Sequence, residues 1–385
     1  MTRYTPDEES RVRTLKQVRA WQRSGLVDEG QANVMAISLA TDLRRTHLIL
    51  RIVLFGFANM VLQSGVFLLA IMMGLDGEWA GSAITLALAA SSAWAAETAI
   101  TRYRLYRFGV EEAAALWAVG LAATSLTLLA TAGDLTTRPE RVAVAAVALG
   151  AAALYARYGY LYAALAAVGC VAALPFVYGL PEISARLLAA GVLVAAFGAA
   201  ARARRPHGDE YPGDDYGTIE AAAWLGAYAV LNLALTFGTA TPDSAPAFYW
   251  GTCAAVWVLP AAGLVMGVRG RSRALIRASA LMAVASLFTV KMYLRLPVHE
   301  WDPIVLGVVL AGMALGVRRW LLAGPDEQRA GFTPRALLYS DARSVESLGV
   351  AAGLSHGAAS AAGATPPGYE PGGGSSGGGG ASGRF

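Results

Sequence analysis

Apolar and polar positions fall into long blocks along this chain instead of alternating. Residues 48–73, LILRIVLFGFANMVLQSGVFLLAIMM, stay apolar throughout except for one formal charge, Arg51. A helix over this stretch rises about 39 Å, enough to cross a hydrocarbon core of about 30 Å with some tilt. Nine further apolar segments follow, at about 80–97, 112–132, 142–157, 160–179, 184–201, 218–237, 247–268, 273–291 and 302–321. The pair within 142–179 is the least clearly divided. The pattern predicts an all-α, polytopic helical bundle with about ten membrane spans.

Charge supplies an independent check on that count. The chain is 56% hydrophobic and 15% charged, with a mean hydropathy of +0.47, against about 25% charged in soluble domains. Its arginines collect between the apolar segments. If the N-terminus is cytoplasmic and the spans alternate, 26 basic residues fall inside and 5 outside. This is the positive-inside asymmetry expected of ten spans with both ends in the cytoplasm. The net charge of +4 therefore reflects topology, and nucleic acid is not an expected partner. The two lysines against 29 arginines, with abundant Ala and Gly, point to a GC-rich bacterial genome and hence to the bacterial cytoplasmic (inner) membrane. The charged first 47 residues do not read as a cleavable signal peptide.

Residues 1–46 read as a cytoplasmic helical hairpin. Thr5, Pro6 and the acids Asp7, Glu8 and Glu9 suit a helix start. Val12, Leu15, Val18 and Gln22 form a stripe with Trp21 beside it. Ser24-Gly25 breaks the helix, and Asp28 with Gln31 forms a capping box for a second helix, expected to run through Val34 and Ile37 into the first span. Residues 47–322 form the membrane domain. Residues 323–385, which include GGGSSGGGG, are too poor in large apolar side chains to pack and read as a disordered Gly/Ala/Ser-rich tail.

The hairpin sequence LKQVRAWQRSGLVDEGQANVMAISLATD, followed by many Ala/Leu-rich spans, resembles the bacterial membrane proteins grouped as domain-of-unknown-function 2157. The residues that carry the likeness are Trp21, Gly25, Leu26, Val27, Asp28, Gln31 and Ala32. The glycine-rich tail is similar to those of envelope proteins with a TPM domain, although Arg384-Phe385 replaces their usual ending and no TPM domain is recognisable. Neither resemblance implies an activity or a catalytic residue.

Polar groups at membrane depth are costly and mark candidate sites. Asn59 and Gln63 lie one turn apart in the first span, and Asn232 lies in the seventh; together they are a candidate polar path. Interhelical hydrogen bonding is the alternative. Glu97, Glu111, Glu112 and Glu220 sit near span ends, where Arg102, Arg104 or Arg202 would pair with them, and Arg186 can pair with Glu182. The outer loop KMYLRLPVHEWD brings together His299, Glu300 and Asp302, a candidate for metal or proton binding and otherwise a solvated loop. Trp21, Leu26 and Val27 are the candidate partner surface. Cys170 and Cys253 fall inside apolar segments and read as buried thiols. GxSxG, HExxH, CxxC and a phosphate-binding lysine loop are all absent, so no cofactor or metal is expected.

Three functions stay open at this point. The first is a non-enzymatic inner-membrane protein that assembles with membrane or envelope partners through hairpin and tail. The second is a small-molecule or ion transporter using the polar path. The third is an enzyme acting on a lipid-linked substrate at the outer loops. Homo-oligomerisation is also open.

Overall fold

The computed structural model describes residues 6–73, 77–135, 138–205, 215–236, 238–297, 299, 301–324, 329 and 332. The glycine-rich tail, residues 206–214 and Glu300 lie outside them. The described residues form twelve helices: α1 (Pro6–Arg23), α2 (Glu29–Ser38), α3 (Leu48–Met73), α4 (Glu78–Thr101), α5 (Val110–Ala132), α6 (Pro139–Tyr158), α7 (Leu161–Val177), α8 (Glu182–Arg204), α9 (Tyr216–Leu231), α10 (Pro246–Arg269), α11 (Arg273–Tyr293) and α12 (Asp302–Leu322). Among the described residues there is no strand, and the extended pairings are isolated bridges between Arg44 and Leu105 and between Arg329 and Phe332.

Seven helices, α3–α6, α8, α10 and α11, are long and apolar enough to cross a membrane. α7 is apolar but shorter, at 17 residues, and α9 has 16. The ambiguous stretch 142–179 is two helices, divided at Gly159, which caps α6 in the left-handed region at φ 69°.

Local chemistry explains the hairpin. Acids in the first turn of α1 and Arg23 in its last complement the helix dipole. Leu15 and Val18 are buried and Val12 packs beside them, whereas Gln22 is exposed, so the buried stripe stops one turn earlier than its spacing suggests. At the turn, the carbonyl of Trp21 accepts from the Ser24 and Leu26 amides, and Gly25 adopts φ +71°, which costs a side-chain-bearing residue strain. Asp28 accepts from the Gln31 amide at 2.8 Å, and the Gln31 side chain accepts from the Asp28 amide at 3.3 Å. Ala32, buried at 4% exposure, faces inward. The hairpin motif is thus a turn, a cap and a small contact residue.

α2 does not continue into the first apolar helix. It ends at Ser38, and α3 begins at Leu48. The intervening backbone is taken up elsewhere: the Arg44 amide donates to the Arg104 carbonyl (2.9 Å), and the Tyr106 amide donates to the Arg44 carbonyl (3.0 Å).

Packing follows chain order. α4 against α5 is the most extensive contact, followed by α8 with α9, α6 with α7, and α10 with α11; α3 rests mainly on α5, and α12 stands largely apart. Most buried apolar residues are alanines, which let helix axes approach closely. Outward-facing side chains are large and apolar, as along α3 at Ile52, Val53, Phe57, Met60, Val61 and Phe67. In the most apolar window of α3 only 6% of residues are buried, leaving a continuous apolar face of the kind that marks an interaction or membrane surface.

Small residues four apart, which let helix backbones approach, occur at Gly263 and Gly267 of α10, Gly312 and Gly316 of α12 and Gly191 and Ala195 of α8, and they differ in use. At Gly263 and Gly267 of α10, an added Cβ would lie 2.5 Å from Ser279 Oγ and Trp224 Nε1, and 2.8 Å from Ile276 Cγ1, respectively. Nothing lies within 4 Å of such an atom at Gly191, Gly312 or Gly316.

Candidate functional site

The densest polar constellation joins the hairpin to one end of the bundle, here the near end. It is organised by the loop between α4 and α5. Arg104 and Arg107 hold left-handed backbone, at φ 54° and 50°, unusual for residues with side chains. Gly109, at φ 109°, permits the loop to touch α3: a Cβ there would sit 2.4 Å from the Arg51 carbonyl oxygen. Only glycine fits at that crossing.

Arg104 is the clamp. Its Nε and one terminal nitrogen donate to the two carboxylate oxygens of Asp42, at 3.1 and 3.0 Å, and it also pairs with Glu8 of α1. The fork geometry of the guanidinium matches one carboxylate bidentately while reaching a second. Arg104 holds the Asp42 carboxyl below its ordinary range, and the two acids in turn push the Arg104 guanidinium up. Beside it, the Tyr106 hydroxyl donates to Glu9 at 3.3 Å, and its ring joins Leu43, Ile100, Tyr158 and Tyr160 in an apolar cluster against which Val12 packs. Burial raises the Tyr106 phenol above its usual value. Arg107 lies over the Tyr106 ring at 5.6 Å and pairs with Asp215, just before α9, at 3.2 Å. α1, residues 42–44 and the start of α9 are thereby fixed to one loop.

Deeper in the same end, Arg51 Nε donates to Glu112 at 2.8 Å, and a terminal nitrogen completes a bidentate pair. The adjacent Glu111 is fully buried; one oxygen accepts from the Phe108 amide at 2.6 Å, and the other has no partner among the described residues. Of the four end-of-helix acids, three find arginines, but not the Arg102, Arg104 or Arg202 expected from the sequence. Glu97 pairs with Arg157, Glu112 with Arg51 and Glu220 with Arg204. Antiparallel packing brings together helix ends distant in sequence. The Arg186–Glu182 pair is present at 2.8 Å, with Arg186 donating also to the Val230 carbonyl.

The candidate polar path is not brought together. Asn59 accepts from Trp117 Nε1 at 2.9 Å and donates to the Phe55 carbonyl, while Gln63 is exposed. Asn232, fully buried, donates to the Tyr228 hydroxyl (3.0 Å) and to Thr289 Oγ1 (3.1 Å). Ser286 extends this second group to the Val256 carbonyl of α10. These are two separate interhelical contacts, α3 to α5 and α9 to α10 and α11.

In the outer cluster, Asp302 is occupied locally. It accepts from Lys291 Nζ and from the His299 backbone amide at 2.9 Å, and the His299 ring packs on Trp301. Among the described residues no group of three or more His, Cys, Asp or Glu could hold a metal ion, and Cys170 and Cys253 are free thiols.

Of the candidate partner surface, Leu26 is 62% exposed, and Trp21 and Val27 are half-buried. Val34 and Ile37, at 70% and 77%, extend the exposed apolar face along α2. Sequence reasoning did not single them out, because helical spacing alone cannot tell whether an apolar residue has a neighbour. It also passed over Asp42 and Tyr106, whose roles arise from contacts across more than 60 residues of chain. No family model matches this chain, and comparison with curated proteins and with solved structures likewise finds no match.

Proposed function

We propose that this chain is a ten-span protein of the bacterial cytoplasmic membrane, with both ends in the cytoplasm, that acts without catalysis by assembling with another membrane or envelope protein. Its hairpin is the docking module. The observation that carries this reading is the asymmetry of the two hairpin helices. α1 is clamped through Glu8, Glu9 and Val12, with Leu15 and Val18 buried, whereas Leu26 in the turn and Val34 and Ile37 of α2 face outward. A folded hairpin that is anchored on one helix and apolar on the other suits an amphipathic helix laid along α2.

Charge favours a protein partner over the lipid surface. Helices that lie on membranes carry Lys and Arg on their polar face. α2, EGQANVMAIS, has neither, and begins at Asp28 and Glu29. Cytoplasmic placement of the near end is supported by its arginines at positions 44, 45, 51, 102, 104, 107 and 157.

A photo-crosslinking residue at Ile37 tests the docking in cells. A discrete adduct is expected from that position, absent from the exposed Arg11 position of α1, and lost in a Val34→Glu variant that keeps wild-type thermal stability. No adduct, or the same adduct from Arg11, overturns the reading. Cysteine labelling of the two chain ends tests the topology, and ends on opposite faces would refute ten spans.

A further inference from the structure

On the ten-span reading, we propose that a trough between α4, α5 and α6 binds an acyl chain of one anionic phospholipid, with its phosphate at Arg157. α4 and α6 both pack on α5 but not appreciably on each other, leaving a cavity of about 700 Å³. This volume is within the range of about 300–1,000 Å³ typical of pockets that take small molecules. Val119 and Ala122 of α5 form its floor, with Ala90 and Ala93 of α4 and Ala153 of α6 in the walls. The floor is drawn tight where Gly150 meets Val119: a Cβ at 150 would lie 2.7 Å from Val119 Cγ1. Such a lining offers no hydrogen bond and accepts a flexible hydrocarbon that needs none.

The near end decides between a lipid chain and a helix from another protein. There Glu97 of α4 accepts from Arg157 at 2.8 Å and from the Tyr158 hydroxyl at 3.0 Å, both reaching over from α6. This bridge closes the trough from wall to wall. A transmembrane helix, about 10–12 Å across with its side chains, would have to continue past it; a lipid tail ends there, where its headgroup begins. The Arg157 side chain is 49% exposed. Its guanidinium carries five donors, so it can pair with Glu97 and still donate to a phosphodiester. In the topology above, this end faces the cytoplasmic leaflet, where anionic headgroups attract basic residues.

Native mass spectrometry of the full-length protein in detergent, titrated with phosphatidylglycerol or phosphatidylcholine, tests the site. Wild type should hold one lipid per chain, with phosphatidylglycerol favoured about fivefold. The filled variant Ala122→Phe/Ala153→Phe should lose the adduct. Ala90→Phe, at the rim, is the second filling variant if the first does not stay monodisperse. Ala152→Phe, exposed and outside the trough, should keep the adduct. Arg157→Gln should keep it but bind both lipids about equally, the charge preference being gone. Equal adducts in wild type and filled variants, no headgroup preference in wild type, or a wild-type dimer that filling converts to monomer would each overturn the proposal. Carbonate washing of membranes separates the two levels: a lipid-free protein that stays in the pellet refutes the trough alone, whereas release into the supernatant refutes the spans.

Discussion

Gly263→Ala tests whether the small-residue crossing of α10 with α9 and α11 holds this half of the bundle. The added methyl would lie 2.5 Å from both Ser279 Oγ and Trp224 Nε1, far inside contact distance. Neither neighbour can give way freely. Ser279 is buried and donates to the Leu275 carbonyl at 2.7 Å; Trp224 donates to the Leu259 carbonyl at 3.0 Å and packs on Phe197 with ring centroids 5.0 Å apart. Overpacking costs about 1–3 kcal/mol, and a weakened indole hydrogen bond adds about 0.6 kcal/mol. The better helix propensity of alanine offsets about 1 kcal/mol of this. The net expectation is a loss of about 0.5–2.5 kcal/mol. Gly312→Ala is the matched control: the same spacing on α12 has nothing within 4 Å, so only the propensity gain of up to about 1 kcal/mol remains. Thermal unfolding of the detergent-solubilised full-length protein, followed by circular dichroism, should move in opposite directions for the two variants. A Gly263→Ala protein as stable as wild type, or shifts of the same sign, would refute the reasoning.

Four further outcomes are expected. Arg104→Gln should release the hairpin from the bundle, seen as a broadened distance distribution between spin labels at Lys16 and Arg202. The same distance should respond to acid in the wild type. Because the Asp42 carboxyl is lowered in the folded state by its hydrogen bonds from Arg104, its contribution is complete above the unfolded value of about 4 and is lost as pH falls through the lowered value. Hairpin docking that instead weakens between pH 6 and 8, a range chosen as roughly that of histidine titration, would contradict this assignment. Arg51→Gln strands Glu112, which is 3% exposed; breaking buried pairs costs about 3–5 kcal/mol, reduced here to about 2–3 by the partial exposure of Arg51. Unfolding midpoints should show most of that loss recovered in Arg51→Gln/Glu112→Gln. Asn232→Leu removes three side-chain hydrogen bonds, a loss of about 2 kcal/mol at about 0.6 kcal/mol each, measurable by the same unfolding assay.

The apolar blocks alone located most of the helices to within a few residues, since a 20-residue run of this kind has few conformational options; the block 218–237 overruns its helix, which ends at Leu231 with Asn232 as its C-cap. Capping chemistry was equally plain: Asp28 and Gln31 act through neighbours three residues apart, and Gly25 through its own backbone. The Arg186–Glu182 pair was legible for the same reason, being one helical turn apart.

Partnerships across the fold were not legible. Glu97, Glu112 and Glu220 each had arginines closer in sequence than the ones they meet, because helix packing and not chain proximity sets which ends adjoin. The continuous helix expected from Val34 into α3 is interrupted because the Arg44 backbone is captured by a loop some 60 residues away, a competitor invisible to local pattern. Asn59 and Asn232 carried the same signal in sequence, a polar residue amid apolar ones, yet only the tertiary structure decided that each ties a different set of helices. What the sequence by itself determined about this protein is what short-range physics controls: helix content, caps, turns and the distribution of charge between segments. Which small-residue face is filled and which is open, which helix of the hairpin is buried, and where a trough remains were decided only by how the helices assemble, because those properties belong to pairs of surfaces.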